Sequence, residues 1–101
     1  MSEGYIQRKI LEYLTKQGAY AVNIHGNEYQ SNVPDVLVCY RGRFIGIEVK
    51  DADGNLSSGQ RKHLRRIQKA GGIGEGVRSL QRVKDIIQTI NDGGTWSNNT
   101  Y

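Results

Sequence analysis

Residues 33–54 read VPDVLVCYRGRFIGIEVKDADG. Two apolar, β-branched runs, DVLVCY and RFIGIEVK, flank the pair Arg41-Gly42, which is the pattern of a hairpin with a tight turn. Three charged residues interrupt it: Asp35 opens the first run, and Glu48 and Lys50 lie within the second. Side chains alternate across a strand, so Ile45, Ile47 and Val49 share one face and Phe44, Gly46, Glu48 and Lys50 the other. Pro34 holds the chain extended just before Asp35. Antiparallel pairing about the turn lays the start of the first strand beside the end of the second. Asp35 then comes next to Glu48 and Lys50, although 12 residues separate the two acids in sequence.

Two carboxylates brought this close repel each other, and burial sharpens the conflict. A divalent cation removes it. Mg²⁺ takes one or two carboxylates, keeps several waters and binds substrate phosphate as well. It acidifies its bound water and neutralises charge that builds on phosphate. Lys50 can orient or deprotonate the attacking water or offset the developing negative charge. Asp35, Glu48 and the Val49 carbonyl are the candidate ligands, and the set is that of a phosphodiesterase site. The competing reading is a Glu48–Lys50 salt bridge on a solvated sheet face, with Asp35 as a turn residue. For an isolated ExK that reading wins. A Pro-Asp, a 12-residue gap and a Glu-Val-Lys ending a strand favour chemistry.

Working outward, residues 3–17 carry Ile6, Ile10, Tyr13 and Leu14 at helical spacing, with Gly18 as the stop. Residues 19–25 alternate Tyr20, Val22 and Ile24 with smaller or polar residues and read as a strand. After the hairpin, Ser57 or Ser58 can cap a helix over 59–70 whose inner stripe is Gln60, Leu64 and Ile67. A short glycine-rich strand follows in IGEGVRS. Ser79 caps a last helix with Val83, Ile86, Ile87 and Ile90 on one face. The order α-β-β-β-α-β-α implies an α/β fold with a mixed central sheet flanked by helices, its last strand parallel to one of the first three. Residues 91–101 are polar and turn-rich and read as a flexible tail.

The chain has 101 residues, enough for one domain. Its hydrophobic and charged fractions, 37% and 24%, suit a soluble globular protein. No run is long enough to span a membrane and no signal peptide is visible, so an intracellular, cytoplasmic location is expected. Cys39 is alone, which excludes an internal disulfide; within its apolar run it reads as a small buried residue. One Cys and two separated His residues give no zinc spacing. A net charge of +4 favours a polyanionic partner weakly.

The motif PD followed by IEVK matches the PD-(D/E)xK nuclease superfamily. IQRKILEYL before it, LSSGQRKHLRRIQKAGG after it and VRSL beyond resemble the VRR-Nuc group over roughly residues 3–90. The resemblance implies a nuclease domain over 1–90 with the restriction-endonuclease-like core, α-β-β-β-α-β plus a C-terminal helix. It implies a Mg²⁺- or Mn²⁺-dependent DNA endonuclease, with Asp35 and Glu48 as metal ligands and Lys50 as the catalytic lysine, and no organic cofactor. Small stand-alone members typical of phages resemble Holliday junction resolvases, so a homodimer acting on branched DNA in a phage or bacterial host cytoplasm is expected. The rivals are a flap or nicking nuclease with the same site and a non-catalytic basic DNA-binding module.

The family often uses a glutamate from the first helix. At 100° per residue, Glu3 falls within about 40° of the centre of the inner face and Glu12 points nearly opposite, so Glu3 is the third-acid candidate. Gln60 lies on the apolar stripe of its helix, and the resemblance places it beside the site, where it would orient water or Lys50. Arg61, Lys62, Arg65, Arg66 and Lys69 crowd that helix with no acid between Gln60 and Ala70. Like charges at helical spacing repel, and DNA phosphates would offset them. Tyr29, in the loop after His25, could stack at a distorted DNA site, but a plain exposed loop is the favoured reading.

Overall fold

The computed structural model describes residues 1–24 and 31–101, which leaves His25 and Tyr29 outside the described residues. Helix α1 (Glu3–Lys16) opens on Ser2, whose hydroxyl accepts the Tyr5 amide at 3.2 Å, and carries Glu3 in its first turn and Lys16 in its last, both favourable to the helix dipole. Gly18, at φ +82°, ends it and releases the chain into β1 (Tyr20–Asn23). Strands β2 (Val36–Tyr40) and β3 (Arg43–Val49) form the expected hairpin. Arg41 and Gly42 both take positive φ, 48° and 77°, the signature of a type I′ turn, whose twist matches that of the strands.

Helix α2 (Ser58–Lys69) is the crossover to β4 (Ile73–Val77), which runs parallel to β3; α3 (Leu80–Asn91) follows. The sheet order is β1-β2-β3-β4, with β1 antiparallel to β2 and β2 to β3. This is the α/β, restriction-endonuclease-like arrangement, in the order read from the sequence. No described helix is long and apolar enough to cross a membrane.

The two sheet faces differ. On one, Val38, Ile45, Ile47 and Val49 meet Ile6, Ile10 and Leu14 of α1 and Val83, Ile86 and Ile87 of α3 in the core. On the other, α2 covers only β3 and β4. Gly46 and Gly74 stand opposite each other there, and a Cβ on Gly74 would lie 2.5 Å from the Leu64 carbonyl oxygen. The bare glycines let the backbone of α2 rest on the sheet. The β1–β2 half of this face and the start of β3 are uncovered: Tyr20 is 71% exposed and Phe44 48%.

On the core side of β1, Ala19 and Ala21 pack against the cluster. Two expectations change here. Cys39, expected to be buried, is exposed, because it shares the uncovered face with Tyr20 and Phe44. The C-terminal residues, expected to form a flexible tail, lie along β4 instead. Asn98 Oδ1 and Tyr101 Oη accept the Gly74 and Gly76 amides at 3.3 and 2.9 Å, closing the free edge of the sheet. Trp96 Nε1, the Asn99 amide and Tyr101 Oη all donate to the fully buried Glu75 carboxylate, with Arg82 3.8 Å away. A buried carboxylate needs such donors, and the tail supplies them.

Candidate active site

The hairpin register pairs Val36 with Ile47, so Asp35 stands opposite Glu48 at the open end of β2 and β3. Side chain and backbone interlock there. The Asp35 amide donates to Glu48 Oε2 at 3.1 Å, and the Val49 amide donates to Asp35 Oδ2 at 2.8 Å. The Asp35 carbonyl in turn accepts the Ile24 amide at 2.7 Å, tying the site to the end of β1. Both acids are thus held by backbone, and neither is free to swing into solvent.

Glu48 is only 3% exposed. Burial pushes its carboxyl up to about 8, and the side-chain hydrogen bond with Asp35 and the Asp35 charge push the same way. The Asp35 amide and the Lys50 charge pull it down less strongly. Near neutral pH Glu48 is therefore held largely in its protonated form. A divalent cation is the other way to satisfy such a pair, and two carboxylates with waters are the donor set that Mg²⁺ accepts. Among the described residues no group of three or more His, Cys, Asp or Glu is arranged to hold a metal ion. A cation at this pair would therefore draw on backbone or solvent beyond the two acids. The Val49 N–H faces Asp35, and in an extended strand the carbonyl of the same residue faces the same way, so the Val49 oxygen borders the pair.

Lys50 continues β3, its amide bonded to the Val77 carbonyl at 2.9 Å. Its side chain runs past Gly54. A Cβ on that glycine would lie 3.3 Å from Lys50 Cδ, 3.3 Å from Glu3 Oε1 and 3.2 Å from Asp51 Oδ1. Glu3 of α1 thus lies near Gly54 on the Lys50 side and does not form a three-acid cluster with Asp35 and Glu48. Asp51 was not foreseen. Its Oδ1 accepts the Asp53 and Gly54 amides at 3.0 and 2.7 Å, and its carbonyl accepts from Arg78. The Asp-Ala-Asp-Gly sequence carried that signal, since aspartate closing on the backbone two and three residues ahead is a common turn device.

Gln60 has a local role. Ser57 Oγ accepts the Gln60 amide at 3.1 Å and Gln60 Oε1 accepts the Ser57 amide at 2.9 Å, a complete capping box at the start of α2. Arg61, Lys62, Arg65, Arg66 and Lys69 are all exposed on α2. That helix lies on the face of β3 that bears Gly46 and Glu48, so the basic residues and the carboxylate pair share one side of the molecule. Arg65 Nη1 donates to the Tyr101 carbonyl at 2.8 Å, so part of its hydrogen-bonding capacity is met by the tail.

A four-stranded mixed sheet with an acid pair at the mouth of its β2–β3 hairpin, a lysine two residues on and a flanking crossover helix defines a restriction-endonuclease-like domain. No family model matches the sequence, and no curated protein does. Among solved structures, one described as a "VRR_NUC domain" matches 85% of this chain and 94% of its own, at a TM-score of 0.72 and 28% identity. Over most of its length the chain is thus similar to a VRR_NUC domain.

Proposed function

We propose that this protein is a divalent-metal-dependent DNA endonuclease. The observation that carries the reading is the locked contact of Asp35 and Glu48 beside Lys50, in a domain that shares its fold with a VRR_NUC structure. Asp35, Glu48 and the Val49 carbonyl would hold Mg²⁺ or Mn²⁺. A cation bound there would neutralise charge on the scissile phosphate and make its water more acidic. Lys50 orients the attacking water and offsets negative charge on the phosphate oxygens. Glu3 and Asp51 lie with the Lys50 side chain around Gly54. The five basic residues of α2 take the flanking phosphates, and Gln60 holds the start of that helix in place.

The preferred biological role is junction resolution by a homodimer, with residues 1–90 as the nuclease domain. One monomer offers one cut, whereas a two-fold dimer presents two sites to a symmetric four-way junction. The uncovered apolar face formed by Tyr20, Val22, Leu37, Cys39 and Phe44 supports that assembly, since patches of this kind mark interaction sites.

The test is cleavage of four-way junctions, flaps and linear duplexes with Mg²⁺ or Mn²⁺. Asp35→Ala and Lys50→Ala should each abolish cutting while sparing DNA binding. Unchanged cleavage in both variants refutes the assignment. Sedimentation equilibrium tests the dimer, and a clean monomer removes the resolvase role.

A further inference from the structure

Lys50 and Asp51 are the first residues beyond β3, and Arg78 is the first beyond β4. The parallel register pairs Val49 with Val77, and the Lys50 amide bonds to the Val77 carbonyl, so these residues leave the sheet side by side. Arg78 has fixed backbone on both flanks. Val77 before it is fully buried, and Ser79 after it caps α3, its hydroxyl accepting the Arg82 amide at 3.4 Å. From that anchor the Arg78 guanidinium donates to the Asp51 carbonyl. A charged donor makes such a bond stronger than a neutral one.

The bond holds a turn that is itself closed. Asp51 Oδ1 takes both the Asp53 and the Gly54 amide, which folds Gly54 back onto the Lys50 side chain. A Cβ on Gly54 would stand 3.3 Å from Lys50 Cδ, whereas carbon atoms settle at about 3.5–4.0 Å. The missing side chain is what lets the turn come this close. Farther along, Leu56 rests on Gly76 of β4, where a Cβ would lie 3.0 Å from Leu56 Cδ1, and Ser57 opens the capping box of α2. The segment from Asp51 to Ser57 is thus fastened at both ends. A lysine stem is flexible by nature. Here it runs along a wall that the rest of the fold keeps in place.

We propose that Arg78 and Asp51 are positioning residues for the cleavage reaction: together they hold the 51–54 turn against the stem of Lys50 and so aim its ammonium at the phosphate. The proposal rests on the nuclease reading above and deepens it. Neither residue touches the reacting atoms. Asp51 acts through its turn and not through its charge, since both amides fall on one oxygen that an asparagine would also offer. Arg78 acts through the Asp51 carbonyl.

The experiment pairs two readouts on the full chain. Amide hydrogen exchange followed by NMR without metal reads the turn, and single-turnover cleavage of DNA with Mg²⁺ reads the chemistry. Affinity for the same DNA in Ca²⁺ is the binding control. Arg78→Ala and Asp51→Ala should each speed exchange of the Gly54 amide about tenfold, the order of one hydrogen bond. Each should slow cleavage about 10- to 100-fold, as a misplacement of about 1 Å does. Affinity should change by less than about twofold, and the thermal midpoint by less than about 4 °C, because Arg78 is exposed and Asp51 half-buried. Asp51→Asn should recover most of both losses. Gly54→Ala is the independent variant: its methyl presses on the Lys50 stem and should slow cleavage without weakening binding. Alanine variants that leave the Gly54 amide protected, or that open the turn yet cut at the wild-type rate, overturn the proposal. So does an Asp51→Asn protein as slow as Asp51→Ala, which would make the charge the active feature. An Arg78→Ala protein that loses affinity but keeps its rate makes Arg78 a phosphate contact and overturns it too. A wild type that cuts nothing with Mg²⁺ or Mn²⁺ refutes the nuclease reading, and with it the aim of the turn, while exchange still decides whether Arg78 and Asp51 hold that turn.

Discussion

Gly74→Ala tests the contact that positions α2. Gly74 and Gly46 are neighbours in the parallel register of β4 and β3, and α2 lies across both. A methyl at position 74 would stand 2.5 Å from the Leu64 carbonyl oxygen and 3.2 Å from its carbonyl carbon and Cα. Carbon atoms settle at about 3.5–4.0 Å, so α2 must retreat by about 1 Å. The obstacle is helix backbone, which cannot rotate away as a side chain can. Overpacking costs about 1–3 kcal/mol, and a backbone clash belongs at the upper end, about 3 kcal/mol. In a domain of this size that lowers the thermal midpoint by about 10–20 °C. Gly46→Ala is the matched control: its methyl meets Ile67 Cδ1 and Pro34 Cγ, and the Ile67 side chain can turn aside, so about 1 kcal/mol is expected. Urea unfolding measures both, with an unchanged m-value showing that the unfolded state is the same. A Gly74→Ala protein as stable as the wild type, or less damaged than Gly46→Ala, would show that the helix does not rest on this strand.

Glu48→Gln should alter how stability depends on pH. The folded-state value of Glu48, about 8, lies above its ordinary value of 4.5, so the stability it contributes is fully present below pH 4.5 and is lost as pH rises through 8. Without metal, wild-type stability should fall across that window by at most about 1.4 kcal/mol per pH unit relative to the Gln variant. Urea melts at a series of pH values check this, and parallel curves for the two proteins would contradict it. Glu75→Ala removes the shared acceptor of Trp96, Asn99 and Tyr101 and should cost about 3 kcal/mol, read from the urea midpoint and the fluorescence of Trp96, the one tryptophan in the sequence. Arg61→Ala/Lys62→Ala should lower the slope of log affinity for DNA against log salt by about two while leaving the thermal midpoint nearly unchanged, measured by anisotropy at several salt concentrations.

The hairpin was legible because its signals are local. Alternation set the faces, Arg41-Gly42 set the turn, and together they determine that Asp35 opposes Glu48. The capping box at Ser57 and Gln60 was equally open to reading from spacing, although Gln60 was assigned to the site before its cap. What escaped the sequence depended on contacts between distant segments. Glu75 looked like an ordinary acid in a glycine-rich strand, and only the return of Trp96, Asn99 and Tyr101 across that strand explains how its charge is buried. Tyr20 and Val22 carried a strand pattern, but which side of a strand meets the core depends on where the helices pack. Cys39 follows from the same ambiguity. Asp51 joined the site through a turn whose destination, Lys50 and Glu3, no spacing rule supplies.

One face of β3 links these features. Reading outward from the turn, it presents Phe44, Gly46, Glu48 and then Lys50, each about 7 Å from the last. Phe44 belongs to the uncovered apolar surface, Gly46 to the seat of α2, and Glu48 and Lys50 to the site. Within about 20 Å a single strand thus sets an open apolar face, the height of the basic helix above the sheet and the position of the acid pair. Because these share one rigid strand, a change at Gly46 that lifts α2 would also move the basic side chains relative to Glu48. The bareness of Gly46 and Gly74 is therefore a requirement of the site as well as of packing: it fixes how closely the cationic helix approaches the carboxylates without touching them.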